Sequence, residues 1–102
     1  MIQVIATIEL APAAREQFLK IFQALVPKVR QEAGCLEYGP MADVPTGIPV
    51  QMPLRPNVVT IVEKWADIAA LKTHLAAPHM LTYRQEVQDL VVGLQLQVLA
   101  PI

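Results

Sequence analysis

The segment that decides the fold is 63–79, which reads Glu-Lys-Trp-Ala-Asp-Ile-Ala-Ala-Leu-Lys-Thr-His-Leu-Ala-Ala-Pro-His. It contains the single tryptophan and both histidines of the chain. The β-branched run Val58 to Val62 comes immediately before it, so we expect a strand that ends close to Trp65. Any chemistry of this protein is expected to cluster in this segment.

A helix is predicted to follow this strand. Asp67 is placed to cap its N-terminus. Ile68, Leu71 and Leu75 recur at helical spacing, which predicts a stripe of residues that faces the core. His74 lies about 80° from the centre of that stripe at the 100° per residue of an α-helix, so it is expected at the rim of the buried face.

The rest of the chain supplies the other elements of a small α+β domain. Apolar residues alternate from Ile2 to Leu10, as in a strand with one buried face. Pro12 suits the first turn of a helix, which is expected to bend at Pro27 and to end at Glu32 or Ala33. Further elements are a strand at 35–41, helical pieces at 67–76 and 80–90, and a last strand around 94–98. The order βαββαβ, with a split second helix, predicts one ferredoxin-like domain over 1–102 with its helices on one face of an antiparallel sheet.

Residues 40–56 contain five prolines and cannot form a regular central strand or helix. The segment also carries five large apolar residues: Val44, Ile48, Val50, Met52 and Leu54. Loops of this length in compact domains are usually functional or disordered. We therefore expect the segment to pack against a neighbouring chain or over a pocket.

One face of the sheet is expected to meet a second subunit. Charged residues make up 17% of the chain, against about 25% in an average domain. The face opposite the apolar set carries Gln3, Ile5, Thr7, Gln95 and Gln97, which are uncharged apart from the neighbouring Glu9 and suit a half-buried environment better than a solvated one. These observations predict a homodimer that forms through the sheet face.

Composition also excludes several classes of partner. The formal net charge is -1 and no basic cluster is present, so neither nucleic acid nor an anionic membrane is an expected partner. The single cysteine, Cys35, permits no internal disulfide. Neither a signal peptide nor a run of roughly 20 apolar residues is found, so a soluble cytoplasmic protein is expected.

In the order and spacing of several short motifs, the sequence resembles the antibiotic biosynthesis monooxygenase family, in particular its quinol monooxygenase-like members. The matching residues are the N-terminal strand with Pro12, Glu16 and Phe18, the run Glu32-Ala33-Gly34-Cys35-Leu36-x-Tyr38, and Glu63-x-Trp65-x-Asp67-x-x-Ala70-Leu71-x-x-His74-x-x-x-Pro78-His79. The resemblance implies a dimeric α+β barrel in which two sheets pack face to face. It also implies oxygen chemistry on a small quinol or phenol without a metal or flavin.

Such a reaction asks little of the protein, because a deprotonated dihydroxyaromatic can itself give an electron to oxygen. His74 is the candidate base, since the ordinary pKa of histidine is near 6.5. Trp65 could stack on a planar ring, whereas hydrogen bonds to the substrate could come from Tyr38, Tyr83 and His79, and Glu63 could orient a histidine. Each of these residues also has a structural alternative. The histidines could be hydrogen-bonded structural residues, the aromatic residues could fill the core or an interface, and Glu63 could pair with a nearby lysine or arginine.

No metal and no nucleotide cofactor is expected. His74 and His79 are five positions apart with Pro78 between them, no third ligand is spaced to help, and there is no Gly-rich phosphate loop. Two functions of other classes remain open, because fold alone does not decide function. One is a non-catalytic dimeric module that binds a small metabolite or a partner protein, and the other is an isomerase of a small sugar-like signal.

Overall fold

A four-stranded antiparallel sheet carries three helices in this computed structural model, which describes residues 1–102. The elements are β1 (Ile2–Leu10), α1 (Arg15–Arg30), β2 (Cys35–Met41), β3 (Val58–Trp65), α2 (Ile68–Leu75), α3 (Pro78–Val87) and β4 (Val91–Leu99). The strand order is β2-β3-β1-β4. The ferredoxin-like plan is therefore confirmed, with its second helix divided into α2 and α3. No helix has both the length and the apolar character needed to cross a membrane.

The two faces of the sheet follow from the alternation in β1. Ile2, Val4, Ala6, Ile8 and Leu10 are all buried in the core. The residues between them belong to the opposite face, where Ile5 is in register with Gln97 and Thr7 with Gln95. The uncharged set predicted from the sequence thus lies on one face, which we call the open face: Gln3, Ile5, Thr7, Gln95 and Gln97.

Helix α1 packs its apolar side on the sheet and ends earlier than predicted. Phe18, Phe22 and Val29 are buried, and Pro27 lies inside the helix. The last helical residue is Arg30, so Glu32 belongs to the turn that leads into β2.

This turn packs tightly against the start of α2 because of Gly34. The residue has φ +83°, and a Cβ atom added there would lie 2.7 Å from Cβ of Ala70. Its carbonyl also accepts a hydrogen bond from the Ala66 N–H at 2.8 Å. The close approach brings Glu32 toward the face of α2 that carries His74.

The buried face of α2 differs from the predicted stripe. Leu71 and His74 are buried, whereas Ile68 is 54% exposed and Leu75 37% exposed. The prediction that His74 lies at the rim was therefore wrong, because this short helix directs its i, i+3 pair toward the sheet. The predicted cap is confirmed, since the Asp67 carboxylate accepts a hydrogen bond from the Ala70 N–H at 2.8 Å.

The loop between Met41 and Val58 projects its apolar side chains into solvent within the protomer. Val50 is 91% exposed, and none of the residues in this loop lines the cavity described below. Within the protomer the loop does not cover that cavity, and its contact with a neighbouring chain stays a prediction. The base of the loop is closed by Arg55, whose guanidinium donates to both oxygens of Asp43 at 2.8 and 2.9 Å.

Candidate active site

A cavity of about 330 Å³ lies between the helix-bearing face of the sheet and helix α3. Most of its lining is apolar, and Ile61, Met80 and Val87 are typical of its walls. Leu94 and Leu96 of the edge strand also line it, although they are 63% and 47% exposed. The cavity therefore has an apolar end toward solvent at β4.

Four residues with polar groups line the more buried part of this cavity: Tyr38, Glu63, His74 and Tyr83. All four were predicted from the sequence as candidate site residues. Each is less than 10% exposed, and no fully buried side-chain nitrogen or oxygen in the chain lacks a hydrogen-bonding partner. An unpaired polar atom among these residues must therefore face accessible space, which the cavity provides.

His74 is held by Glu32, which the sequence analysis did not select as a site residue. The Nδ1 atom of His74 lies 2.9 Å and 3.2 Å from the two carboxylate oxygens of Glu32. A carboxylate only accepts hydrogen bonds, so the ring proton belongs on Nδ1 in the neutral imidazole. The Nε2 atom has no partner in the chain and carries the free lone pair.

Two opposing effects set the protonation of His74. Its side chain is only 1% exposed, and this burial lowers the pKa of the imidazole below its ordinary value. The hydrogen bond from Nδ1 to Glu32 and the charge of that carboxylate act in the opposite direction, but they are smaller. His74 is consequently neutral at neutral pH and can accept a proton on Nε2.

Glu63 is the second buried titratable group of the cavity. Its side chain is on β3, is 5% exposed and takes part in no ion pair. Desolvation raises its pKa to about 7, although the hydrogen bond that Oε1 accepts from Trp65 Nε1 at 2.9 Å acts against the rise. The expectation that Glu63 orients a histidine was wrong, because Glu32 occupies that position.

The two tyrosines provide neutral hydroxyl groups. Burial raises the pKa of both Tyr38 and Tyr83 well above the ordinary value of a phenol. The ring of Tyr38 meets the His74 ring edge to face, with centroids 5.4 Å apart. Neither hydroxyl has a hydrogen-bonding partner in the chain, so both are available to a bound molecule.

Trp65 and His79 were predicted for the pocket, but they do not line this cavity. Trp65 is fully buried, and its ring packs against the His74 ring with centroids 4.6 Å apart. His79 reaches Glu32 from the other side, with Nε2 2.6 Å from Oε2. Trp65 therefore supports His74 and Glu63, and His79 supports Glu32, but neither forms the wall of the cavity.

The same cluster corrects one part of the sequence analysis. Glu32, His74 and His79 each present one donor atom, and the three atoms lie within 4.8 Å of one another. Glu32 is therefore a third potential metal ligand beside the two histidines, which the sequence analysis did not expect. Sequence spacing could not identify it, because Glu32 precedes His74 by 42 positions and is in a turn without periodicity.

Comparisons with known proteins agree with this architecture. The family model for antibiotic biosynthesis monooxygenase matches residues 1–86. The protein named "Probable quinol monooxygenase YgiN" from Escherichia coli K12 is 36% identical over 99% of this chain and 98% of its own length. The crystal structures of PA3566 from Pseudomonas aeruginosa and Rv0793 from Mycobacterium tuberculosis are 29% and 26% identical. Each has a TM-score of 0.81 over 99% of this chain, and the matches cover 93% and 94% of those chains. The chain thus belongs to the antibiotic biosynthesis monooxygenase family.

Proposed function

We propose that this protein is a cofactor-independent monooxygenase that oxidises a small quinol or phenol-like aromatic with O2. The observation that carries the proposal is the position of His74, a neutral and carboxylate-held imidazole in a mostly apolar cavity. Membership of the family and the similarity to a probable quinol monooxygenase support the reaction class.

The cavity suits a small aromatic substrate. Its volume of about 330 Å³ is near the lower limit of ligand pockets, so a small ring fits better than a long-tailed quinol. The ring would lie among the apolar walls, with its hydroxyl groups toward His74 and Tyr38. The apolar end at Leu94 and Leu96 would receive a ring substituent.

His74 would start the reaction by removing a proton from a ring hydroxyl. Glu32 stabilises the imidazolium that forms, because its carboxylate faces Nδ1 at 2.9 Å. The resulting anion is electron-rich enough to reduce O2. The overall reaction is quinol plus O2 to hydroxyquinone plus water, in which one oxygen atom enters the ring and the other leaves as water.

Oxygen uptake with a panel of quinols tests this function. We expect the wild-type protein to consume O2 and His74→Gln to reduce the rate by on the order of a hundredfold, the usual effect of losing a general base. Lys72→Gln is the control, since Lys72 is exposed on the same helix. Melting curves of both variants establish that they are folded.

Two outcomes would contradict the proposal. One is uptake by folded His74→Gln at the wild-type rate. The other is a wild-type protein that binds a quinol in equilibrium dialysis but consumes no oxygen, which would favour the non-catalytic binding module.

A further inference from the structure

The proposed reaction requires a proton donor as well as a base. After His74 removes the hydroxyl proton, a ring carbon of the anion bonds to O2 and passes two electrons to it. The His74 imidazolium then gives its proton to the peroxide anion, which becomes a hydroperoxide. In the next step the O–O bond breaks, the carbon loses its hydrogen as a proton to His74, and a carbonyl forms. The departing hydroxide needs one proton to leave as water.

Glu63 is placed to hold that proton. It lines the same cavity as His74 but does not contact the cluster of His74, Glu32 and His79 through any hydrogen bond. One of its oxygens is fixed by Trp65 Nε1 at 2.9 Å, and the other has no partner in the chain. No lysine or arginine forms an ion pair with it, so no ion pair opposes the desolvation that favours its protonated form.

We propose that Glu63 is the general acid that gives its proton to the distal peroxide oxygen as the O–O bond breaks, and that Trp65 is the positioning residue that aims the Glu63 carboxyl group. This inference rests on the monooxygenase function and extends it. The proton returns to Glu63 from the His74 imidazolium after release of water, so both residues are restored at the end of each turnover.

The protonation behaviour of the two residues supports a division of roles. The pKa of Glu63 is about 7, well above the ordinary value of a carboxyl group, while the pKa of His74 lies below 6.5. Turnover requires a neutral His74 and a protonated Glu63 at the same time. The activity of the wild-type enzyme should therefore fall on both sides of a maximum, with an acid limb from His74 and an alkaline limb from Glu63.

Product analysis of Glu63→Gln tests this role. The amide keeps the acceptor for Trp65 Nε1 but has no carboxyl proton. We expect the rate to fall on the order of a hundredfold and the product to change from hydroxyquinone and water to quinone and hydrogen peroxide. That change balances, because the hydroperoxide is then released as H2O2 with both electrons of the quinol. The alkaline limb of the pH profile should disappear.

Trp65→Phe tests the positioning role of Trp65. Loss of its hydrogen bond removes an effect that lowers the pKa of Glu63, so the alkaline limb should move to higher pH. A merely structural role of Trp65 would lower the amount of folded enzyme without moving either limb. Glu86→Gln on the exposed side of α3 is the control, and it should keep the wild-type product ratio.

The results separate this inference from the proposed function. If the wild-type enzyme consumes no O2 with any quinol, the proposed function fails. If the wild type is active and folded Glu63→Gln keeps its product ratio and its alkaline limb, only the role of Glu63 is overturned. Loss of the acid limb in Glu63→Gln would assign Glu63 as a base, which also contradicts the inference.

Discussion

At the scale of single residues, burial determines which groups can do chemistry. His74 was predicted as the base from its residue type, but its value as a base comes from the Glu32 carboxylate on Nδ1. The sequence also allowed the selection of Tyr38, Glu63 and Tyr83, because each is a polar residue beside an apolar pattern. Glu32 could not be found that way, because its role depends on a turn that Gly34 presses against α2.

The buried carboxyl group of Glu63 should make stability depend on pH. Its pKa in the folded protein is about 7 instead of the ordinary 4.5, so the folded state holds this proton more tightly than the unfolded chain. The free energy of unfolding therefore falls as pH rises from 4.5 through 7. Glu63→Gln cannot ionise, and its stability relative to the wild type should increase by about 2 kcal/mol between pH 5 and pH 8.

Urea unfolding of both proteins at matched concentration across this pH range provides the measurement. The difference in the free energy of unfolding between Glu63→Gln and the wild type reports the ionisation of Glu63, because His74 is present in both proteins. The lowered pKa of His74 makes stability rise with pH below pH 6.5, which is opposite in sign to the effect of Glu63. Glu86→Gln is the control at an exposed carboxylate. A pH-independent difference for Glu63→Gln would mean that the Glu63 carboxyl group is solvated in the folded protein.

At the scale of elements, the sequence predicted strands better than the orientation of the short helix. The alternation from Ile2 to Leu10 predicts both β1 and its buried face, because residues two apart in a strand lie on the same face of the sheet. Helix α2 has only eight residues, and its apolar residues point in several directions around the helix axis. Their spacing therefore did not identify the buried face. Helix α1 ends at Arg30 because Gly34 requires a turn before β2.

The loop between β2 and β3 is predicted to resist proteolysis in the native protein. At the base of the loop, the Arg55 guanidinium forms an ion pair with the Asp43 carboxylate, which we call the clasp. The Gln51 side chain also donates a hydrogen bond to the Val44 carbonyl at 2.7 Å. Its prolines also lower the entropy lost on ordering. Arg55→Ala removes the clasp and should make thermolysin cleavage between Thr46 and Arg55 several-fold faster.

Mass spectrometry of early fragments identifies the cleavage site. Arg15→Ala is the control, because it removes another arginine whose guanidinium reaches a loop carbonyl, at Pro56, without opening the clasp. Rapid cleavage of the wild-type loop would show that it is loose, and it would remove the case for contact with a neighbouring chain.

At the scale of the whole molecule, we propose a homodimer formed through the open face. Over its β1 and β4 residues the face carries only one charged side chain, Glu9, and the apolar loop residues are exposed in the protomer. Burial of these surfaces in a second subunit would remove them from water. The alternation of β1 and β4 predicted which residues share this face, and the strand register adds which of them lie side by side.

Sedimentation at micromolar concentration tests this assembly. The expected species has twice the chain mass, and Gln95→Lys should weaken it because two like charges approach across the two-fold axis. Gln85→Lys on the exposed side of α3 is the matched control and should leave the dimer intact. A clean monomer would exclude the dimer, and a dimer unaffected by Gln95→Lys would place the interface elsewhere.

The central claim is that this chain inserts oxygen from O2 into a quinol, and isotope labelling tests it most directly. The purified wild-type protein is incubated with a small quinol under ¹⁸O2 in ordinary water, and product is analysed by mass spectrometry at early times. Our proposal predicts hydroxyquinone with one ¹⁸O atom, formed at a rate that His74→Gln lowers. Hydroxyquinone labelled only from water, or no product beyond the rate of autoxidation, would contradict it.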